Sequence, residues 1–284
     1  MIVIEWNHLD ATAWEAALNG AAGPTAYHQH WPHGAALQSL GVRVDRAAIY
    51  WCERLVGLVQ VQHRRWLKAT SLGLALRGPV WLAPLSDADK AAVYRALRKG
   101  LPGAAIHYGL WMPEADDRAA LNANRMRQVV TPYHAALLDL TLDEDSLRGR
   151  MDGKWRNRLR AAERGPLRVE RVGHRPRQYQ WLLTKEAQQR QGRGYAALPS
   201  ALVPLYQEEA GRESLLVLKA GTGREPASGV LCLVHGRSAT YHTGWSSDDG
   251  RQHGGHNLLL WQAMLALKAR GVRWLDLGGL DSKT

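Results

Sequence analysis

Residues 214–277 decide the fold, and they read SLLVLKAGTGREPASGVLCLVHGRSATYHTGWSSDDGRQHGGHNLLLWQAMLALKARGVRWLDL. Two short apolar runs, residues 214–220 and 227–234, flank a glycine-rich turn and predict a β-hairpin. A third apolar run over residues 238–245 is followed by a polar loop and by a helical pattern over residues 256–270. After a glycine the chain returns to a strand pattern, so the segment predicts a hairpin, a further strand, a helix and a closing strand.

The first half of the chain shows the same order of patterns. A hairpin pattern that contains Gly57 precedes a helical pattern that ends at Gly100, and a strand pattern follows. Gly57 precedes Gly100 by 43 residues, and in the second half Gly229 precedes Gly271 by 42 residues. The matched order and spacing predict two copies of one unit.

The fold class is therefore α/β, with two tandem units that each contain a mixed, mostly antiparallel sheet flanked by helices. We expect the first unit to span residues 1–145 and to include a strand over residues 133–140. The second unit is expected to span residues 146–284, with the linker near residues 141–152.

The composition is that of a globular protein, with 45% apolar and 22% charged residues in 284. The two cysteines, Cys52 and Cys232, lie in strand patterns without metal-ligand spacing, and His28, His30 and His33 match no ligand pattern, so we expect no metal site. A polar loop at the rim of a pocket is the favoured interpretation of the three histidines. The sequence also lacks a signal peptide pattern and an apolar run long enough to span a membrane, which predicts a cytoplasmic protein.

Positive charge is concentrated in residues 148–193. This stretch holds fourteen Lys or Arg and four Asp or Glu, a net charge of +10, whereas the whole chain has +11. Within it, Asp152 is a plausible N-cap of a short helix, with an apolar stripe of Trp155, Leu159 and Ala162 and with cations on both flanks. The stretch is either a solvated surface or a surface that binds phosphates or carboxylates.

Several short segments spread over nearly the whole chain resemble those of one family. They are residues 27–34, 77–81, 154–158, 192–195, 256–261 and 276–279. Together with the repeated unit, they make the chain similar to the FemAB family of peptidoglycan-bridge aminoacyltransferases, within the GNAT acyltransferase superfamily. Chains of this kind usually continue past the Asp-Leu-Gly-Gly segment into another strand, whereas this sequence stops at Thr284.

The resemblance implies transfer of an acyl group from an activated ester or thioester to an amine. The acyl carbonyl is expected where the strands over residues 238–245 and 272–277 separate, with backbone N–H groups as oxyanion donors. The resemblance implies that Tyr241, His242 and Asp276 are the catalytic candidates there. Because side chains alternate along a strand, we expect only one of Tyr241 and His242 to face the gap, with Tyr241 favoured. Asp276 is expected either to orient or deprotonate the amine or to cap its own turn.

The resemblance also implies a donor loop at residues 248–257, where a CoA-dependent relative would hold the pyrophosphate at a helix N-terminus. The candidate residues of the loop are Arg251, Gly254, Gly255, His256 and Asn257. His256 stands where a small residue belongs, which disfavours ordinary CoA binding. Substrate contacts are expected at Lys154, Arg156, Arg158, Tyr195 and Trp261.

Three functions remain open at this point. The first is a tRNA-dependent aminoacyltransferase that acts on the amine of a peptide or cell-wall precursor, with tRNA or another phosphate-bearing ligand on the basic stretch and no DNA partner. The second is a CoA-dependent N-acyltransferase acting on a small amine or sugar. The third is a non-catalytic anion-binding module. No cofactor is expected beyond the acyl donor itself, which is aminoacyl-tRNA or acyl-CoA.

Overall fold

The computed structural model describes residues 1–67, 70–103, 106–114, 116–131, 134–193 and 200–279. The chain divides into two compact units, Met1–Pro132 and Tyr133–Thr284. Each unit contains one six-stranded sheet.

The first unit has a sheet of order β1-β2-β3-β4-β6, with the short β5 paired to β3. Its elements are β1 (Ile2–Trp6), α1 (Ala11–Asn19), α2 (Trp31–Ser39), β2 (Val44–Trp51), β3 (Arg54–Leu67), β4 (Thr70–Leu76), β5 (Val80–Trp81), α3 (Asp87–Gly100), β6 (Ile106–Met112) and α4 (Arg118–Ala123). All neighbouring strands are antiparallel except β4 and β6.

The second unit has a sheet of order β7-β12-β11-β10-β9-β8. Its elements are β7 (Ala135–Asp139), α5 (Glu144–Gly149), α6 (Gly153–Glu163), β8 (Arg168–Arg171), α7 (Pro176–Arg193), α8 (Leu202–Ala210), β9 (Leu215–Gly221), β10 (Ser228–His235), β11 (Ser238–Ser246), α9 (Asp248–Gln252), α10 (Gly255–Ala269) and β12 (Trp274–Gly279). Among the described strands of this sheet, β11 and β12 are the only parallel neighbours.

The predicted repeat is confirmed. In each unit a hairpin leads to a third antiparallel strand, then to a helix, and then to a strand parallel to the third: β2-β3-β4-α3-β6 in the first unit and β9-β10-β11-α10-β12 in the second. The division between the units differs from the predicted one. The strand β7 forms antiparallel pairs with β12, so it belongs to the second sheet, and the boundary lies at residue 132 instead of residue 145.

A large core of the second unit lies between one face of its sheet and helices α6 and α10. Leu159 and Ala162 of α6, Leu259 and Trp261 of α10, and Leu275 of β12 are at most 2% exposed within it. The helix α6 begins after its N-cap Asp152, as predicted, and its buried positions belong to the predicted apolar stripe. The opposite face of the sheet is covered by α7, which packs on β11.

The histidine segment of the first unit differs from the predicted polar loop. Gln29, His30 and His33 are at most 2% exposed, so they lie inside the unit instead of at a rim. Gln29 accepts a hydrogen bond from the backbone N–H of Gln60 at 2.7 Å, which ties the segment to the sheet. The segment also contains the start of α2 at Trp31. Pro32 fits the first turn of this helix because its missing N–H would have no helical partner there.

Within the described ranges, no helix is long and apolar enough to cross a membrane.

Candidate active site

The parallel strands β11 and β12 separate after a short paired stretch. Within the described residues their ladder holds three consecutive pairs, the last of which joins Thr240 and Asp276. Beyond that pair β11 continues to Ser246 and β12 to Gly279. Backbone groups that face the resulting gap are not used by the neighbouring strand, so the gap can supply N–H donors to an oxyanion.

The corresponding strands of the first unit stay together. The ladder between β4 and β6 runs through seven consecutive pairs, from Thr70 with Ile106 to Leu76 with Met112. Backbone groups along that stretch are consumed by the ladder. The two copies of the unit therefore differ at this point, and the gap is a feature of the second.

A β-bulge interrupts β11 next to the gap. Thr243 lies opposite Leu231 and Tyr241 lies opposite Cys232, so His242 is the extra residue of the bulge. Burial lowers the pKa of His242 to about 4, and burial raises the pKa of the Cys232 thiol to about 12. At neutral pH the imidazole is uncharged and a weak base, and the thiol is protonated and no nucleophile.

Tyr241 lies on the α10 face of β11 together with His256. The two rings are 5.6 Å apart at 89°, an edge-to-face contact. The Tyr241 hydroxyl and the His256 ring occupy the space in which a side chain at Gly244 would lie, so glycine is required there. Burial lowers the pKa of His256, which favours its neutral form. A hydroxyl and a neutral imidazole therefore lie together beside the gap.

Asp276 lies at the point where the gap begins. Its side chain is 5% exposed, and its Oδ1 accepts a hydrogen bond from the backbone N–H of Gly278 at 2.7 Å. Gly278 has a φ of 86°, a conformation that favours glycine. This hydrogen bond is the kind expected if Asp276 caps its own turn, and a role of the carboxylate towards the amine stays a prediction.

The donor-loop glycines are buried in packing contacts. Gly254 is the N-cap of α10 and has a φ of 66°, and a Cβ on it would lie 3.2 Å from the Cβ of Ala162 in α6. Gly255 faces Ser228 of β10 in the same way. These two glycines allow the N-terminus of α10 to lie against α6 and the sheet, while Asn257, in the first turn, is partly buried.

Two arginines meet at this helix N-terminus. Arg158 of α6 donates from Nη2 to the backbone carbonyl of Arg251 at 2.7 Å. The Arg251 guanidinium donates to the carbonyl of Ser246 at 2.6 Å and to the Asp248 carboxylate, and its side chain is about half exposed. The structure therefore brings the basic helix, α6, into contact with the donor loop. The sequence alone gave no sign that these two segments meet. The positive end of the α10 dipole adds to their charge.

The other predicted substrate residues have different surroundings. Lys154 is exposed at the start of α6, and within the described residues it forms no ion pair. Arg156 is partly buried and donates to the carbonyl of Gly149 at 3.0 Å. Trp261 is 2% exposed in the core, so it cannot contact a substrate at the surface. Tyr195 lies outside the described residues.

Arg148 explains part of the excess charge of the basic stretch. Its guanidinium lies 4.6 Å from the centre of the Trp261 ring and donates to both carboxylate oxygens of Glu163, at 2.7 and 2.9 Å. Arg148 therefore joins α5, α6 and α10. Not every cation of the stretch is available to a ligand.

Across the described ranges, no group of three or more His, Cys, Asp or Glu could hold a metal ion.

Comparison with known proteins gives the domain class. Residues 150–283 match the family model of the acetyltransferase (GNAT) domain. A crystal structure of FemX superposes with a TM-score of 0.78 at 13% identity, covering 99% of this chain and 90% of that chain. A tandem GNAT protein from the clavulanic acid biosynthesis pathway gives a TM-score of 0.53 at 13% identity, covering 99% and 91% of the two chains. L-PGS from Bacillus licheniformis gives 0.53 at 17% identity, covering 96% and 77%.

A sequence search of curated proteins found no match. The second unit matches the acetyltransferase (GNAT) domain over most of its length. The chain as a whole has the fold of FemX and of the tandem GNAT protein, which confirms the fold expected from the sequence resemblance.

Proposed function

We propose that the second unit transfers an aminoacyl group from aminoacyl-tRNA to the amine of a peptide or cell-wall precursor. The observation that carries the proposal is the junction of α6 with the N-terminus of α10, where Arg158 lies on the carbonyl of Arg251. Two guanidinium groups and a helix dipole meet beside the gap between β11 and β12, which suits a polyanionic donor whose acyl end enters the gap.

The packing of the donor loop favours tRNA over CoA. A pyrophosphate bound by the first turn of α10 requires close approach to backbone N–H groups. Here Gly254 is covered by Ala162 of α6, and the Arg251 guanidinium is held by Asp248. The rings of Tyr241 and His256 also fill the space over Gly244. These rings leave little room along β11 for the pantetheine arm of CoA. The outer surface of α6, in contrast, is accessible to the phosphates of a tRNA.

The chemistry asked of the site is modest because the ester is already activated. The amine nitrogen attacks the ester carbonyl carbon, the C–N bond forms, and the C–O bond to the tRNA ribose breaks. The proton leaves the nitrogen and the ribose oxygen takes up a proton. We infer that backbone N–H groups at the gap stabilise the oxyanion and that the Tyr241 hydroxyl relays the proton, with His256 fixing the Tyr241 ring.

Salt-dependent binding tests the proposal. Affinity for aminoacyl-tRNA, measured by filter binding over a salt series, should fall steeply with salt, and replacing Arg158 or Lys154 by Ala should reduce the log–log slope by about one each. Arg212→Ala is the matched control, because Arg212 is exposed and lies three residues before Leu215 of β9, whose carbonyl accepts from Arg270 at the C-terminal end of α10. Salt-independent binding, or equal slopes in all variants, would contradict the proposal.

A CoA-dependent N-acyltransferase acting on a small amine or sugar is the second candidate, and the match to the acetyltransferase domain favours it. Calorimetry with acetyl-CoA and longer acyl-CoAs separates the two donors. Heat of binding that disappears in Arg251→Ala, together with weak tRNA binding, would select CoA.

A further inference from the structure

Two tryptophans and a lysine lie together on the face of β11 that is opposite to Tyr241. The ring centres of Trp181 in α7 and Trp245 in β11 are 6.3 Å apart at 81°. The Lys185 ammonium lies 5.5 Å from the centre of the Trp245 ring. Both indoles are partly exposed and Lys185 is exposed, so this cluster, the indole pair with Lys185, reaches solvent.

A glycine creates the space for the cluster. Gly229 of β10 lies directly opposite Trp245 in the antiparallel ladder, and residues opposite each other share a face of the sheet. A Cβ on Gly229 would collide with the ring of Trp181. The missing side chain therefore lets Trp181 lie on the strand beside Trp245. The aromatic pair therefore depends on the glycine in the neighbouring strand.

The cluster and the donor loop occupy opposite faces of the same strand. Gly244 faces Tyr241 and His256 on the α10 side, so the next residue, Trp245, faces the α7 side. The arginine cluster for donor phosphates, Arg158 and Arg251, is also at the N-terminus of α10. A ligand on the indole pair is thus separated from the donor phosphates by the strand that borders the gap.

The chemistry of the cluster defines a class of ligand. Indole rings pack against flat carbon faces such as a sugar ring or an aliphatic chain. Within the described residues, Lys185 forms no ion pair, so its ammonium is available to an oxyanion. Trp245 lies five residues beyond Thr240, where the gap begins, so the cluster is well removed from the reacting carbonyl.

We propose that the indole pair with Lys185 binds the amine acceptor through a part remote from its reacting nitrogen: a carboxylate or phosphate beside a flat carbon face. The inference rests on the proposed function, since it presumes that an acyl donor occupies the gap from the α10 side. The acceptor is then an anionic amine, and Lys185 and Trp245 determine specificity.

Binding to the intact protein tests this inference without any transfer reaction. Indole ¹⁵N–¹H signals are assigned with Trp181→Phe and Trp245→Phe, and two probes are titrated: glucosamine 6-phosphate and the dipeptide Ala-Lys. At least one probe should shift both indole signals, and Lys185→Met should weaken its binding about tenfold, as expected for loss of a charge-assisted contact. The probe that responds identifies phosphate or carboxylate as the anion.

The controls separate the inference from general charge effects. Lys219→Met removes a lysine that is paired with Glu170 on β8 and should leave the affinity unchanged. The counterparts that lack the anionic group, methyl glucosaminide and Ala-Lys amide, should bind weakly and equally to the wild type and to Lys185→Met.

Adenosine monophosphate is titrated in parallel with the two probes. Three results would overturn the inference: neither probe shifts the two indoles, Lys185→Met binds like the wild type, or adenosine monophosphate alone shifts them. The last result would identify a stacking surface for the donor RNA. The titration contains no tRNA. If aminoacyl-tRNA failed to bind in the salt series, the proposed donor would be overturned, whereas the result of the indole titration would be unaffected.

Discussion

Asp276 is the residue at which a catalytic and a positioning role can be separated. Its Oδ1 accepts from the N–H of Gly278, and an Asn side chain offers the same acceptor without the charge. We expect Asp276→Asn to keep the transfer rate within about threefold of the wild type, because the turn is retained. Asp276→Ala should lose about tenfold or more, because a buried N–H is left without its acceptor.

Single-turnover transfer from labelled aminoacyl-tRNA to a lysine peptide measures these rates, and the thermal midpoint of each variant serves as the check on folding. Equal and large losses in Asp276→Asn and Asp276→Ala, with midpoints preserved in both, would instead identify the carboxylate as the general base.

His242 predicts a pH dependence of stability. Burial lowers its pKa in the folded state to about 4, whereas an unfolded histidine has a pKa of about 6.5. As the pH falls from about 6.5 towards 4, the unfolded chain binds a proton that the folded chain excludes, so the free energy of unfolding decreases. The loss from this group is about 1.4 kcal/mol per pH unit in that window, and there is none above it.

Urea unfolding at about pH 7 and about pH 5 tests this prediction. The wild type should lose about 2 kcal/mol more than His242→Gln between the two conditions. The comparison uses differences, so a uniform destabilisation by the substitution cancels. An identical loss in both proteins would contradict the prediction, because it would show that His242 takes up its proton as readily in the folded protein as in the unfolded chain.

At the scale of elements, the order of strands and helices could be predicted because apolar periodicity and end signals are local. Asp152 caps α6, and Gly271 follows α10, at the positions that the sequence indicates. The assignment of β7 could not be predicted in this way. Its strand pattern is visible, but pairing with β12 joins residues far apart in the sequence, and no local signal specifies the partner.

The candidate site was predictable only in part. The segments at Tyr241, Asp276 and the donor loop come from the resemblance, whereas their surroundings depend on tertiary contacts. Neither the extra residue His242 in the bulge nor the packing of Gly254 on Ala162 leaves a pattern in the sequence. Trp261 shows the converse, because a large aromatic residue in a matching segment is in fact a core residue, covered by Arg148.

The same limit applies to the basic helix. The charge and the apolar stripe of α6 could be predicted from the spacing of its residues, and Leu159 and Ala162 are buried as expected. Which cations of the basic stretch are available could not be inferred from the spacing, because Arg148 of α5 is paired with Glu163, whereas Arg158 of α6 donates from one guanidinium nitrogen to the carbonyl of Arg251 and stays exposed. The contacts that decide this come from α5 and from the junction of α9 with α10.

At the scale of the whole molecule, the two copies of one unit have different strand geometry. In the part of the chain that the structure describes, the ladder of β4 with β6 has seven pairs, whereas that of β11 with β12 has three before the strands separate. A continuous ladder has no opening for an acyl group, because its backbone donors are already used. We therefore expect the first unit to contribute no acyl-binding gap, although both units have the same order of strands and helices.

Photo-crosslinking tests whether the acyl group enters the second unit and not the first. With aminoacyl-tRNA that carries a diazirine on its aminoacyl group, crosslinks should map by mass spectrometry to residues 240–246 and 274–279, because the acyl group must enter the gap for its carbonyl to meet the backbone donors. Excess unlabelled aminoacyl-tRNA should abolish the crosslinks, and tRNA with the diazirine placed at its anticodon should not give them. Crosslinks within residues 70–76 or 106–112 would show that the closed ladder opens and that the first unit also receives the acyl group.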